Sequence, residues 1–162
     1  MCSILGFVNC GNKELLNQCN LIMGHRGPDG RGVKWFDESN SGLAHNRLSI
    51  IDLSEAASQP MNSEDKRYWI VYNGEVYNYK DIRKELALKG YKFKSDSDTE
   101  VILNSYIEWG EKCLQKFNGM FSFAIYDNLQ KKIFIARDRI GIKPLYYTSF
   151  NNSFITSFQC WL

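Results

Sequence analysis

The apolar positions of the chain fall into two rhythms. Ile4, Leu5, Phe7 and Val8 form a short run that predicts a strand almost at the first residue. Leu15, Leu16, Cys19, Ile22 and Met23 recur at helical spacing and predict a helix. Residues 24–30 carry three glycines and Pro28, which break any regular element there. Further strands are predicted near 32–36, 42–46 and 68–72. Asn78 is placed to cap a helix with Tyr79, Ile82 and Leu86 on one face. Ser97 or Asp98 is placed to cap another, with Glu100 in its first turn, running towards Trp109. The last third predicts strands near 120–126, 133–136 and 145–148, with Asp127, Asn128, Leu129 and Gln130 turning between the first two. Phe121, Phe123 and Ile125, with Ser122 and Ala124 between them, read as a strand covered on both faces. Such strands plus amphipathic helices predict a layered α/β sandwich. Periodicity alone leaves open whether its layers run helix–sheet–sheet–helix.

Length and composition narrow the picture. At 162 residues, with 44% apolar and 14% aromatic, the chain suits one folded domain. A net charge of +2, spread along the chain, gives no reason to expect nucleic acid or membrane as a partner. No apolar run approaches the ~20 residues of a membrane span. Asn9, Cys10, Gly11 and Asn12 interrupt anything resembling a signal peptide, so a cytoplasmic location is expected. Cys2, Cys10, Cys19, Cys113 and Cys160 are odd in number and scattered, which argues against a disulfide framework. With no CxxC pair and only His25 and His45, no metal site is expected.

The candidate chemistry begins at Cys2. Removal of Met1 would set a free α-amino group beside its thiol. An amine of pKa ~8 can take the proton of a thiol of pKa ~8.5, so nucleophile and base would share one residue. An inert residue at a frayed terminus is the alternative. A thiol that attacks an amide needs donors for the developing oxyanion. The Asn73 side chain and the Gly74 N–H could supply them, although an Asn-Gly pair also reads as an ordinary hairpin turn. For a free amino acid, Arg47 matches the α-carboxylate, and Asp98 with Glu75 the α-ammonium. Taken singly, Arg47 reads equally as a surface charge and Asp98 as a helix cap.

In order, the segments Met1-Cys2, residues 25–29 (HRGPD), 44–53 (AHNRLSIIDL), Gln59-Pro60, 73–78 (NGEVYN), 97–100 (SDTE) and 137–147 (RDRIGIKPLYY) resemble the class II glutamine amidotransferase domain of asparagine synthetase. The resemblance implies an α+β fold of the N-terminal-nucleophile hydrolase type, a four-layer αββα sandwich of two antiparallel sheets, over residues 1–150. It implies Cys2 as nucleophile and Asn73 with Gly74 as oxyanion hole. It also implies Arg47, Leu48, Ile50, Ile51, Glu75 and Asp98 around the glutamine, and His25, Arg26, Gly27 and Asp29 as a loop that buttresses the nucleophile or merely turns the chain. The reaction implied is hydrolysis of glutamine to glutamate and ammonia through a Cys2 thioester, with no cofactor in this domain. ATP and magnesium would belong to a C-terminal synthetase domain, which this sequence lacks and to which ammonia would pass. A homodimer is a further expectation.

Three departures stand out. Ser3 replaces the family's usual glycine, where a Cβ could crowd the nucleophile. No Ser-Gly-Gly pyrophosphatase loop occurs. Residues 151–162 read as an atypical tail. Phe158, Trp161 and Leu162 would be exposed there and, with the 137–147 segment, form a partner face. Asp138, between Arg137 and Arg139, reads as a local salt-bridge cluster. Ser3 and the absent synthetase domain motivate a non-enzymatic partner domain as an alternative. The resemblance also admits an amidotransferase domain feeding a sugar acceptor, although the 25–29 and 137–147 motifs favour the asparagine-synthetase branch.

Overall fold

The computed structural model describes residues 2–49, 52 and 54–158. Among these residues nine strands form two antiparallel sheets. In chain order they are β1 (Ser3–Val8), β2 (Gly30–Phe36), β3 (Ser41–Arg47), β4 (Met61–Asn62), β5 (Tyr68–Val76), β6 (Gly119–Asp127), β7 (Lys132–Arg137), β8 (Tyr146–Phe150) and β9 (Ser153–Ser157). One sheet has the order β2-β3-β1-β9-β8 and the other β4-β5-β6-β7. The helices are α1 (Lys13–Ile22), α2 (Tyr79–Leu88) and α3 (Asp98–Trp109).

Alternation along the strands sorts the core into three bands. Leu5, Phe7 and Ala44 face outward with Leu16 of α1. Ile4, Val8, Leu43, Val71, Ala124 and Tyr126 meet between the sheets. Ile70, Tyr72, Phe121, Phe123 and Ile125 face Ile82, Leu86, Val101 and Ile102 of α2 and α3. The layers therefore run α–β–β–α. The strand around Phe121–Ile125 is apolar throughout because one face meets helices and the other the second sheet.

The capping expectations were met in part. Ser97 caps α3 through the Thr99 N–H at 3.1 Å as expected; Asn12, which is not among the expected caps, caps α1, accepting from the Leu15 N–H at 2.8 Å. Asn78 precedes α2 but does not cap it. Its amide bonds to the Lys116 carbonyl and the Asn118 N–H, pinning the strand that follows.

Four further expectations are revised. Asn73-Gly74 is not a hairpin turn: both residues lie inside β5, opposite Ser122 and Phe121 of β6. The boundary drawn at residue 150 cuts the β8–β9 hairpin, and β9 lies in the sheet between β1 and β8. Phe158 is buried between the sheets, with the Arg26 guanidinium 4.9 Å above its ring, so it adds nothing to an exposed face. Trp161 and Leu162 lie outside the described residues. The Asp138 carboxylate makes no ion pair among the described residues and accepts N–H bonds from Phe121, Ile142 and Lys143. Burial alone would raise its pKa, but these backbone donors outweigh it and hold the carboxyl below its usual range.

Ser3 does not crowd Cys2. It points to the α1 side, fully buried, and its hydroxyl accepts from Asn46 Nδ2 at 2.8 Å. Asn46 in turn bonds to Asn20 and to Arg31. The hydroxyl thus joins the polar seam beneath α1.

Candidate active site

One cavity of about 270 Å³ gathers Cys2, Arg47, Leu48, Asn73, Gly74, Glu75 and Asp98. These residues are up to 96 positions apart. The register of β1 on β3, with Ser3 opposite Asn46, sets Cys2 beside Arg47 and Leu48. The Leu48 N–H donates to the Cys2 sulfur at 3.3 Å, and the thiol reaches the Leu48 carbonyl at 3.6 Å. Burial raises the Cys2 thiol pKa, and the Leu48 backbone offsets this only in part. A buried thiol that holds its proton needs a base close by.

The cavity floor is the open edge of β5. β4 covers that edge only at Trp69 and Ile70. Beyond them, the Tyr72 N–H turns to Gln59 Oε1 at 2.6 Å and the Val76 N–H to Asp98 Oδ2 at 3.0 Å. N–H groups two residues apart on a strand share one side. The Gly74 N–H, midway between them, therefore points to the same edge and into the cavity. A side chain is barred at this position, since a Cβ on Gly74 would strike the Met120 carbonyl on β6. Next to it, Asn73 is buried and its Nδ2 finds no partner among the described residues. Orphaned buried donors are rare and costly. Here one stands beside a backbone N–H that no strand covers among the described residues, and both residues line the cavity that holds a thiol.

The far wall carries charge. Asp98 opens α3 and is buried. Its Oδ2 accepts from the Tyr72 hydroxyl at 2.6 Å as well as from Val76. Burial raises the Asp98 pKa, the two hydrogen bonds oppose this, and the nearby Glu75 carboxylate adds to the rise. Two neighbouring carboxylates in a confined space favour a cation between them. Opposite, the Arg47 guanidinium donates to the Ser54 carbonyl at 2.9 Å, to Ser58 Oγ at 3.4 Å and to the Asp52 carbonyl. Five N–H donors leave some for a bound carboxylate.

Among the described residues the loop 25–29, expected to buttress the nucleophile, makes no hydrogen bond to Cys2; its Asp29 carboxylate reaches only the residue after Leu48. Asp29 accepts from the Ser49 N–H at 2.8 Å, next to Leu48, which holds the sulfur. Gly27 lies against the Asn46 backbone, where a Cβ would not fit. Arg26 stacks on Phe158. His25 is exposed and does not line the cavity; its Nδ1 lies 3.2 Å from the Ile22 carbonyl. Ile50 and Ile51 lie outside the described residues.

Sequence reasoning passed over Tyr72, His45 and Gln59 as parts of the site. The signal for Tyr72 was present: a tyrosine closing an apolar strand needs a partner for its hydroxyl. Gln59 bridges β5 and Thr99 of α3, and so holds the loop that closes the cavity.

Residues 1–159 match the family model described as a glutamine amidotransferase domain. The chain is 44% identical over 159 residues to glutamine-hydrolyzing asparagine synthetase 1 of Bacillus subtilis, covering 94% of this chain and 25% of that protein. It is 41% identical over 162 residues to asparagine synthetase 3 of the same organism, covering 96% and 26%. To asparagine synthetase 2 of Arabidopsis thaliana it is 39% identical over 151 residues, covering 90% and 25%. The chain thus spans about a quarter of the length of these relatives. Among solved structures it resembles the glutamine phosphoribosylpyrophosphate amidotransferase of B. subtilis. The TM-score is 0.77 at 16% identity, over 96% of this chain and 41% of that one, which is a likeness of fold.

Proposed function

The chain belongs to the glutamine amidotransferase domain family, and on that premise we propose that it releases ammonia from the side-chain amide of glutamine through a thioester on Cys2. The observation that carries this reading is one cavity lined by the Cys2 thiol, by Asn73, whose buried Nδ2 has no partner among the described residues, and by Gly74 on the uncovered edge of β5. With Met1 removed, the Cys2 amine takes the thiol proton. The sulfur attacks the amide carbon, and the oxygen gathers charge facing Asn73 Nδ2 and the Gly74 N–H. The carbon–nitrogen bond breaks as the amine returns the proton to the leaving nitrogen, so ammonia departs and a γ-glutamyl thioester remains. Water then adds, the carbon–sulfur bond breaks, and glutamate leaves. Arg47 holds the α-carboxylate of the substrate, and Asp98 with Glu75 holds its ammonium.

The ammonia acceptor is a synthetase domain or subunit of the kind that the asparagine synthetases carry, which aminates aspartate with ATP and magnesium. The exposed Ile140, Ile142, Tyr146 and Tyr147 provide an apolar face for that partner. Among the described residues no helix is long and apolar enough to cross a membrane. A cytoplasmic location suits a domain that works on a soluble amino acid.

The test joins intact mass to an assay. Chain lacking Met1 converts glutamine to equal amounts of glutamate and ammonia, whereas chain with Met1 retained or the amine acetylated does not. Equal turnover by the blocked chain would remove the amine from the mechanism.

Asp98 predicts a pH dependence. Only its ionised form attracts the substrate ammonium, and burial raises its pKa above the ordinary carboxylate range. Affinity for glutamine therefore falls as pH drops through that raised value, sooner than for a solvent-exposed carboxylate. Asp98→Asn should raise KM by about 30-fold or more, since it unpairs a buried charge, and should flatten the acid limb of kcat/KM. An unchanged limb in Asp98→Asn would move the ammonium site elsewhere.

A further inference from the structure

A second cavity, polar and also about 270 Å³, lies beside the first and is lined by Asp29, Arg31, His45, Arg47, Glu55 and Gln59 among others. His45, Arg47 and Gln59 line both cavities and form the wall between them. Arg47 is engaged by the Asp52–Ser58 loop, and Gln59 by the Tyr72 N–H and Thr99. His45 differs. It is 1% exposed, and neither Nδ1 nor Nε2 meets a hydrogen-bond partner among the described residues. Burial lowers its pKa to about 3; the Tyr72 backbone opposes that shift, but not at hydrogen-bonding geometry. At neutral pH the ring therefore keeps one N–H and one bare nitrogen.

We propose that His45 positions the water that hydrolyses the Cys2 thioester, taking it from the second cavity. This rests on the thioester reading above. Once the first cavity holds a γ-glutamyl group, water must reach the thioester carbonyl from somewhere. The wall shared with a polar cavity is such a route, and His45 is the wall residue whose polar atoms are uncommitted. Its bare nitrogen accepts one water hydrogen and so aims the oxygen at the carbonyl carbon. The water oxygen bonds to that carbon, and its second proton passes to the Cys2 amine. The carbon–sulfur bond then breaks, and the sulfur recovers that proton as glutamate leaves. His45 is a positioning residue here, with no net gain or loss of a proton.

The test compares His45→Leu and His45→Gln with the unaltered enzyme under rapid mixing with glutamine, following ammonia, glutamate and intact mass. Leucine removes both orphaned nitrogens and costs the fold no hydrogen bond, so the melting temperature should hold. His45→Leu should show an undiminished burst of one ammonia per site. Glutamate release should then slow by roughly tenfold or more, with the acylated enzyme accumulating in the mass spectrum. His45→Gln, which keeps a donor and an acceptor, should restore much of the rate. Should His45→Leu not fold, His45→Asn carries the same test, because its amide is too short to reach the water. Ammonia and glutamate released in step at the normal rate would overturn the proposal, as would loss of the burst itself, which would place His45 in glutamine binding. If the unaltered enzyme releases no ammonia, the glutaminase reading fails before any His45 variant is compared.

Discussion

Cys2→Ala releases no measurable ammonia from glutamine: kcat falls by at least about 10³-fold, as when a covalent nucleophile is lost. Neither the Ser97 nor the Thr99 hydroxyl on the cavity wall is placed to replace the sulfur. The Ser97 hydroxyl caps the Thr99 N–H, and the Thr99 hydroxyl accepts from Gln59. The variant should remain folded, because the sulfur contributes only its two weak contacts with Leu48. Glutamine binding should survive as well, since Arg47, Glu75 and Asp98 stay in place. Calorimetric titration of the variant should therefore show glutamine bound but not turned over. Turnover near the normal rate would end the thioester mechanism.

Asn73→Ala has the second largest effect and an unusual signature. Removing an oxyanion donor costs about 10²–10³ in kcat, with little change in KM because the donor acts on charge that develops after binding. Its effect on stability runs the other way. Asn73 Nδ2 is buried without a partner among the described residues, and such a donor costs about 1–3 kcal/mol. The variant should melt at or above the parent temperature, tempered by the small void left by the side chain. A purely structural asparagine would show the reverse: lower melting temperature and intact kcat. Steady-state kinetics and a thermal melt on the same preparation distinguish the two.

The hydrophobic rhythm was enough to place the three helices and most of the strands, because each buries a face whose period is set by local geometry. Cys2, Asn73, Gly74, Arg47, Glu75 and Asp98 are nominated instead by the ordered motifs and the amidotransferase resemblance they carry, since singly several of them read equally as structural residues. What the local pattern could not do was choose between readings that are equal locally. Asn-Gly prefers a turn, yet here it lies extended, since β6 pairs across Ser122 and Phe121 and imposes the strand. The short segment Ser153–Ser157 has no strong pattern of its own and becomes a strand only because β1 offers it a free edge. Phe158 reads as an exposed tail residue until the Arg26 side chain and the space between the sheets claim it. Asp98 would cap a helix equally well in another fold. It is held at the cavity, where the proposed ammonium would meet it, because Tyr72 and Val76 of a distant strand fix one of its oxygens. The site is an uncovered strand edge facing the start of the chain across two sheets. Residues far apart in sequence meet there only through long-range pairing, and no local preference encodes it.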